Sequence, residues 1–149
     1  MKDVLKLMDK DHEDLVTLID QFLSHIKNNS DQSVDIFSNF KRNLQKHFHW
    51  EEKVLFPLFE ERTGLTGADT TFVLKNEHVQ IKSMFINKIE KMLSEKNFPE
   101  ILLLAVGLEE MLSMHRTLET DVFYPWFDES LDLIERDRVL KLLKNKKEI

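Results

Sequence analysis

The stretch "HFHWEEKVLFPLFE" (residues 47–60) is answered by "HRTLETDVFYPWFD" (residues 115–128), at an offset of 68 residues. The two agree at His47 and His115, Glu51 and Glu119, Val54 and Val122, Pro57 and Pro125, Phe59 and Phe127, and at the acidic pair Glu60 and Asp128. A shorter correspondence precedes each. His12 and His78 lie 66 residues apart, each following an acid (Asp11, Glu77), and Leu15, Leu18 and Ile19 match Ile81, Met84 and Phe85. Each half of the chain is thus a helix with one histidine followed by a helix with a histidine and a glutamate. Amphipathic hairpins always share some likeness, but histidines, glutamates and prolines matched at a fixed offset exceed it.

Outward from these stretches, apolar residues recur at helical spacing. A first stripe is Val4, Leu5, Met8, Leu15, Leu18, Ile19, Phe22 and Ile26, ending near "KNNSD". A second, entered through Ser30 or Asp31 as N-cap, is Val34, Phe37, Phe40, Leu44, Phe48 and Leu55. "RTGLTGADT" from Arg62 is the clearest loop. The third stripe is Phe72, Val73, Ile81, Met84, Phe85, Ile89 and Met92; the fourth, with Pro99 in its first turn, runs from Ile101 through Leu104, Leu108, Met111 and Leu112 to Leu118. Pro57 and Pro125 predict a kink or helix end after Phe56 and Tyr124. The expected fold is all-α: an up-down-up-down four-helix bundle with an internal pseudo-two-fold repeat. It forms a single domain over residues 1–149, with the bundle at about 3–128 and a short fifth helix at about 129–147.

Composition narrows the function. The 149 residues contain no cysteine, which removes disulfides, zinc ribbons, iron–sulfur ligation and thiol catalysis. That fits a reducing compartment. No signal-peptide pattern opens the chain, so a cytoplasmic protein is expected. The longest apolar run, "ILLLAVGL" (101–108), is too short for a membrane span. A net charge of −6 gives no footprint for nucleic acid, and the lysines at 141, 144, 146 and 147 read as the solvated end of a last helix. Serine-triad order, phosphate loops and dinucleotide fingerprints are missing.

Residues four apart stand about 6 Å apart along one helix face, so His47 with Glu51, and His115 with Glu119, can each reach one point. A single such pair is a weak signal. Both pairs lie in apolar stripes, where an ionised glutamate is costly unless paired or bound to metal. His12 and His78 bring the set to four histidines and two carboxylates. Nitrogen and oxygen donors without sulfur suit iron, manganese or zinc. The numbers invite two ions, each with two histidines and bridged by both glutamates, at a separation of about 3.5–4 Å. The ferritin-type Glu-x-x-His does not occur.

"DHEDL", "HFHWEEKVLFP", "NEHVQI" and "HRTLETDVFYP" together resemble the hemerythrin-like, or HHE cation-binding, domain family over roughly Val4 to Asp128. The resemblance implies a non-haem di-iron centre that meets dioxygen, nitric oxide or peroxide. It makes His12, His47, His78 and His115 the histidine ligands and Glu51 and Glu119 the bridging carboxylates. The expected cofactor is two iron ions joined by an oxo or hydroxo group, with manganese or zinc as substitutes. Oxygen-carrying hemerythrins have a fifth histidine four residues from the one on the third helix; here those neighbours are Leu74 and Lys82. The chain therefore looks more like the four-histidine domains of nitric-oxide response and iron–sulfur repair, without their cysteine-bearing segment.

Several residues carry weaker signals. His25 reads as a surface residue complementing a helix end, and His49 points away from His47. Glu52 reads as solvent-facing or behind the ligands, and Glu77 as a poor substitute for the fifth histidine. Asn43, Met111, Trp50 and Leu118 read mainly as packing one turn from the histidines. The leading expectation is a sensor, carrier or stress protein for a small ligand, with no expectation about a protein partner. The alternatives are an iron storage or delivery module and a metal-free helical interaction domain.

Overall fold

The computed structural model describes residues 4–28, 30–65 and 70–145. In order, the helices are α1 (Val4–Lys27), α2 (Ser33–Trp50), α3 (Phe56–Thr63), α4 (Thr70–Ile81), α5 (Asn87–Ser94), α6 (Phe98–Leu118), α7 (Tyr124–Ser130) and α8 (Leu133–Asn145). Three π-helical turns, Glu51–Leu55, Lys82–Ile86 and Glu119–Phe123, join α2 to α3, α4 to α5 and α6 to α7. The joined pieces make long rods, so the bundle has four: α1, α2–α3, α4–α5 and α6–α7.

Two separate apolar clusters show how the rods run. One gathers Leu15, Phe22, Phe37, Leu44, Phe48, Ile81, Ile89, Ile101 and Leu108. The other gathers Val4, Met8, Leu55, Phe56, Phe59, Leu74, Phe123, Tyr124 and Phe127, and α8 closes it with Val139, Leu140 and Leu143. Along the chain, α1 passes from the second cluster to the first, α2–α3 returns, α4–α5 goes back and α6–α7 returns again. This is the up-down-up-down path expected from the repeat. Each rod buries a stripe of large side chains, the main stabilising term in a helical bundle. No helix among the described residues is long and apolar enough to cross a membrane.

The prolines do not end the helices. A proline has no N–H for the carbonyl four residues back. The N–H of Phe56 instead reaches five residues back to the Glu51 carbonyl, and that of Tyr124 reaches Glu119. Each π turn inserts one residue into the helical register, and such insertions recur at functional sites. The extra residue rotates the stripe, which is why Val122 is exposed although its repeat position suggested burial. Val34, Phe72, Val73 and Met84 are exposed as well; Thr71, Leu74 and Ile86 take the inward positions. The second helix starts at Ser33 with Gln32 as an unassisted cap, while Ser30 Oγ accepts from the Gln32 N–H at 3.2 Å. Gly64, at φ +71°, ends α3 and donates its N–H to the Glu60 carbonyl. The loop positions 66–69, the residue at 3 and the lysines at 146 and 147 lie outside the described residues.

The repeat's acidic pair holds helix starts across the bundle. Asp128 accepts from the Val4 and Leu5 N–H groups at 3.1 and 3.2 Å, capping α1 from α7. Glu60 accepts from Thr71 Oγ1 at 2.6 Å near the start of α4 and pairs with Lys75 at 2.9 Å. Asp128→Ala is expected to lower the unfolding free energy by about 1 kcal/mol or somewhat more, the usual worth of a cap. A denaturant midpoint equal to wild type would show that the capping bonds contribute nothing.

Candidate metal centre

The layer between the apolar clusters is polar. Met8 and Leu15 flank His12 on α1, and Leu74 and Ile81 flank His78 on α4. Phe48 and Leu55 bracket Glu51, and Leu108 and Phe123 bracket His115 and Glu119. All six residues expected from the sequence meet there and are buried, with both glutamates fully enclosed. Their donor atoms form two sets: Glu51, His78, His115 and Glu119 in one, and His12, His47 and Glu119 in the other. Glu119 belongs to both. Its Oε1 lies 2.9 Å from His12 Nε2 and its Oε2 lies 3.3 Å from His115 Nε2. Glu51 Oε1 lies 3.1 Å from His78 Nε2 and 3.7 Å from His47 Nε2.

Each histidine turns Nε2 inward, and on three of them a carboxylate takes Nδ1–H from outside. His47 donates to Asp11 at 2.5 Å, His78 to Glu52 at 2.6 Å and His115 to Glu77 at 2.7 Å. A proton fixed on Nδ1 leaves the Nε2 lone pair free for a cation, and such a carboxylate also makes the ring a better donor. His12 is the exception. Its Nδ1 is buried with no hydrogen-bond partner among the described residues.

These contacts test whether a metal fits. His78 Nε2, His115 Nε2, Glu51 Oε1 and Glu119 Oε2 are all buried without an aligned hydrogen bond among the described residues. A lone pair facing a carboxylate oxygen at 3.1–3.3 Å is repulsive unless a proton or a cation lies between them. Nitrogen and oxygen atoms converging without sulfur are a donor set for a borderline or hard cation. The residues fit a metal. Burial pulls the pKa of His12 down to about 3, aided by repulsion from His47. Burial acts on His47 and His78 too, but Glu51 and Asp11 raise the first, and Glu51 and Glu52 the second. Burial keeps His115 below its ordinary value. Glu51 is fully buried, yet His47, His78 and His115 bring its carboxyl down to about 2.

Tyr124 joins the site although the sequence marked it only as a helix boundary. Its hydroxyl donates to Glu51 Oε2 at 2.7 Å and lies 3.3–3.4 Å from the Nε2 atoms of His47 and His12. Burial and Glu51 push its pKa well above that of a free tyrosine, so it stays protonated. The repeat equivalent is Phe56, 5.7 Å from His78 between ring centres. Comparing the two halves for unmatched polar residues would have singled out Tyr124.

A cavity of about 520 Å³ reaches the layer between α1, α2 and α6. Leu15, Ile19, Leu44, Phe48 and Leu112 line it, with Asp20, Glu109 and Glu110 also contributing. It touches His12, His47 and His115. His78 is covered instead by Phe48, stacked at 3.7 Å.

The weaker candidates lie outside the donor sets. Glu77 and Glu52 hold outer nitrogens, as above. His25 gives Nδ1–H to the Gln21 carbonyl in the last turn of α1. His49 is half-buried and in neither set. Asn43 bonds back to Asn39, and Trp50 and Leu118 pack in the second apolar cluster while Met111 packs in the first. Leu74 is core, and Lys82 Nζ sits 5.8 Å from the Phe48 ring centre.

Comparison with known proteins gives one positive finding: the sequence profile of the hemerythrin HHE cation binding domain matches residues 3–127. No curated protein and no solved structure matched.

Proposed function

The chain belongs to the hemerythrin HHE cation-binding domain family, and from that footing we propose that it is a non-haem di-iron protein reacting with dioxygen, nitric oxide or peroxide. The observation that carries this reading is the pair of donor sets sharing Glu119, with imidazole lone pairs aimed inward from four helices. His12, His47 and Glu119 would hold one ion, and Glu51, His78, His115 and Glu119 the other. Manganese or zinc suits the same donors, and cellular availability favours iron. A metal-free interaction domain is disfavoured because it would leave these buried atoms facing one another with only protons between them.

A ferrous pair would supply electrons and open coordination positions to a small ligand. The chain's own residues shape the outcome. Neither Leu74, in the core, nor Lys82, beside Phe48, supplies a fifth histidine's donor. The cavity lets a ligand approach past apolar side chains to His12 and His47. Tyr124 holds a proton beside those two rings, ready for a reduced product. Accessibility plus a proton donor favours rapid reaction over reversible storage of oxygen. Stopped-flow mixing of the reduced protein with oxygen is expected to give oxidation within seconds, and mixing with nitric oxide a new absorption band. A reversible oxygenated spectrum lasting many minutes would restore a carrier role.

A further inference from the structure

The two halves match so closely that their single mismatch behind the donors carries information. Asp11 holds His47 and Glu77 holds His115, a symmetric pair of contacts. Glu52 holds His78, and the repeat makes position 120 the equivalent of position 52 and His12 the equivalent of His78. Position 120 is a threonine. Its Oγ1 is buried without a hydrogen-bond partner among the described residues, as is Nδ1 of His12. An ion held through His12 Nε2 would leave the ring proton on Nδ1, where no acceptor among the described residues receives it.

We propose that the two donor sets bind divalent cations unequally: Glu51, His78, His115 and Glu119 retain their ion, whereas His12, His47 and Glu119 hold an exchangeable one. The inference rests on the two-ion reading above. Three independent features point the same way. The first set offers four residues and the second three. Both histidines of the first set are held by carboxylates, but only one of the second. The cavity reaches both histidines of the second set but only His115 of the first, where Phe48 covers His78. Three carboxylates on that cavity, Asp20, Glu109 and Glu110, outweigh its one guanidinium, Arg116, so the lining attracts cations and gives the exchangeable ion a route. Glu52 is therefore a positioning residue, and Thr120 marks where its counterpart is missing.

Titrating the full-length apo chain with zinc against a chromophoric chelator tests this directly. Wild type is expected to bind two ions with affinities differing about 10–100-fold, the usual worth of a carboxylate behind a histidine ligand. Chelator should then strip one ion quickly and the other slowly. Thr120→Glu, which supplies the missing carboxylate, is expected to tighten the weak site and narrow the gap. Glu52→Gln, a near-isosteric change at a partly exposed position, should weaken the tight site about 10-fold or more and narrow the gap from the other side. Two ions of equal affinity in wild type, or a gap unmoved by Glu52→Gln, would overturn this inference alone. A ceiling of one ion would overturn the two-ion reading and this inference with it.

Discussion

Glu119→Ala is expected to strip the chain of most of its metal, and to do so more completely than Glu51→Ala. The glutamates look equivalent in the repeat, but their surroundings differ. Glu119 contributes to both donor sets, one oxygen toward His12 and the other toward His115. Glu51 contributes Oε1 to one set, while Tyr124 occupies its Oε2. Removing Glu119 therefore leaves His12 and His47 without a carboxylate and the other set with three donors. Removing Glu51 leaves all three residues of the His12 set in place, although it takes away the oxygen 3.7 Å from His47 Nε2. Metal analysis after desalting, with circular dichroism confirming a folded helical chain, measures the difference. A Glu119→Ala protein with its full complement would show that this side chain does not bridge the sets.

The second large effect is on stability. A ligand that binds only the folded state stabilises it by mass action, about 2.7 kcal/mol at one hundred times its dissociation constant. At about 2–4 °C per kcal/mol for a chain of this size, two ions should raise the thermal midpoint by on the order of 10 °C or more. Without metal, protons must separate the facing donors, so apo stability should depend on pH. Burial lowers the folded pKa of His12 to about 3 and also lowers that of His115, so acidification below 6.5 protonates them in the unfolded chain first and stability falls. His47 and His78, despite burial, are raised by their carboxylates; their contribution is full below 6.5 and is lost as pH rises through the folded values. The apo protein should thus be most stable near 6.5, with metal replacing the lost protons on the alkaline side. Equal midpoints with and without metal would count against a buried metal site.

The six residues that converge in the buried layer were legible in the sequence because burial, helical spacing and internal repetition act on residue type. A carboxylate four residues from a histidine inside an apolar stripe has few explanations, and a second copy removes most of them. The carboxylates behind the donors were harder to assign. Asp11 and Glu77 stand next to histidines in the chain, yet they bond His47 and His115 on neighbouring helices, since adjacent helical side chains diverge by about 100°. Interhelical distance decides such pairings, and single-helix periodicity does not contain it. The π turns were hidden for a related reason. Pro57 and Pro125 announce a lost hydrogen bond, but whether a helix stops or absorbs an extra residue depends on packing beyond it, here Phe59 and Phe127 in the second cluster. The turn at Lys82–Ile86 has no proline, and nothing in its local sequence marks it.

The polar layer between two apolar clusters also bears on how the molecule comes apart. A bundle with one continuous core transmits a local disturbance along its full length. Here four rods thread two cores, and the seam between them is made of imidazoles and carboxylates. With cations in that seam, charge attraction ties the rods at mid-height and the two ends should melt as a single cooperative unit. Without them, the rods are held at that level only by hydrogen bonds such as His47–Asp11, His115–Glu77 and Tyr124–Glu51, and the end containing α7 and α8 should open more readily as a separate folding unit. The donors that would hold the reactive ions are thus also the weld on which the cooperativity of the whole bundle depends.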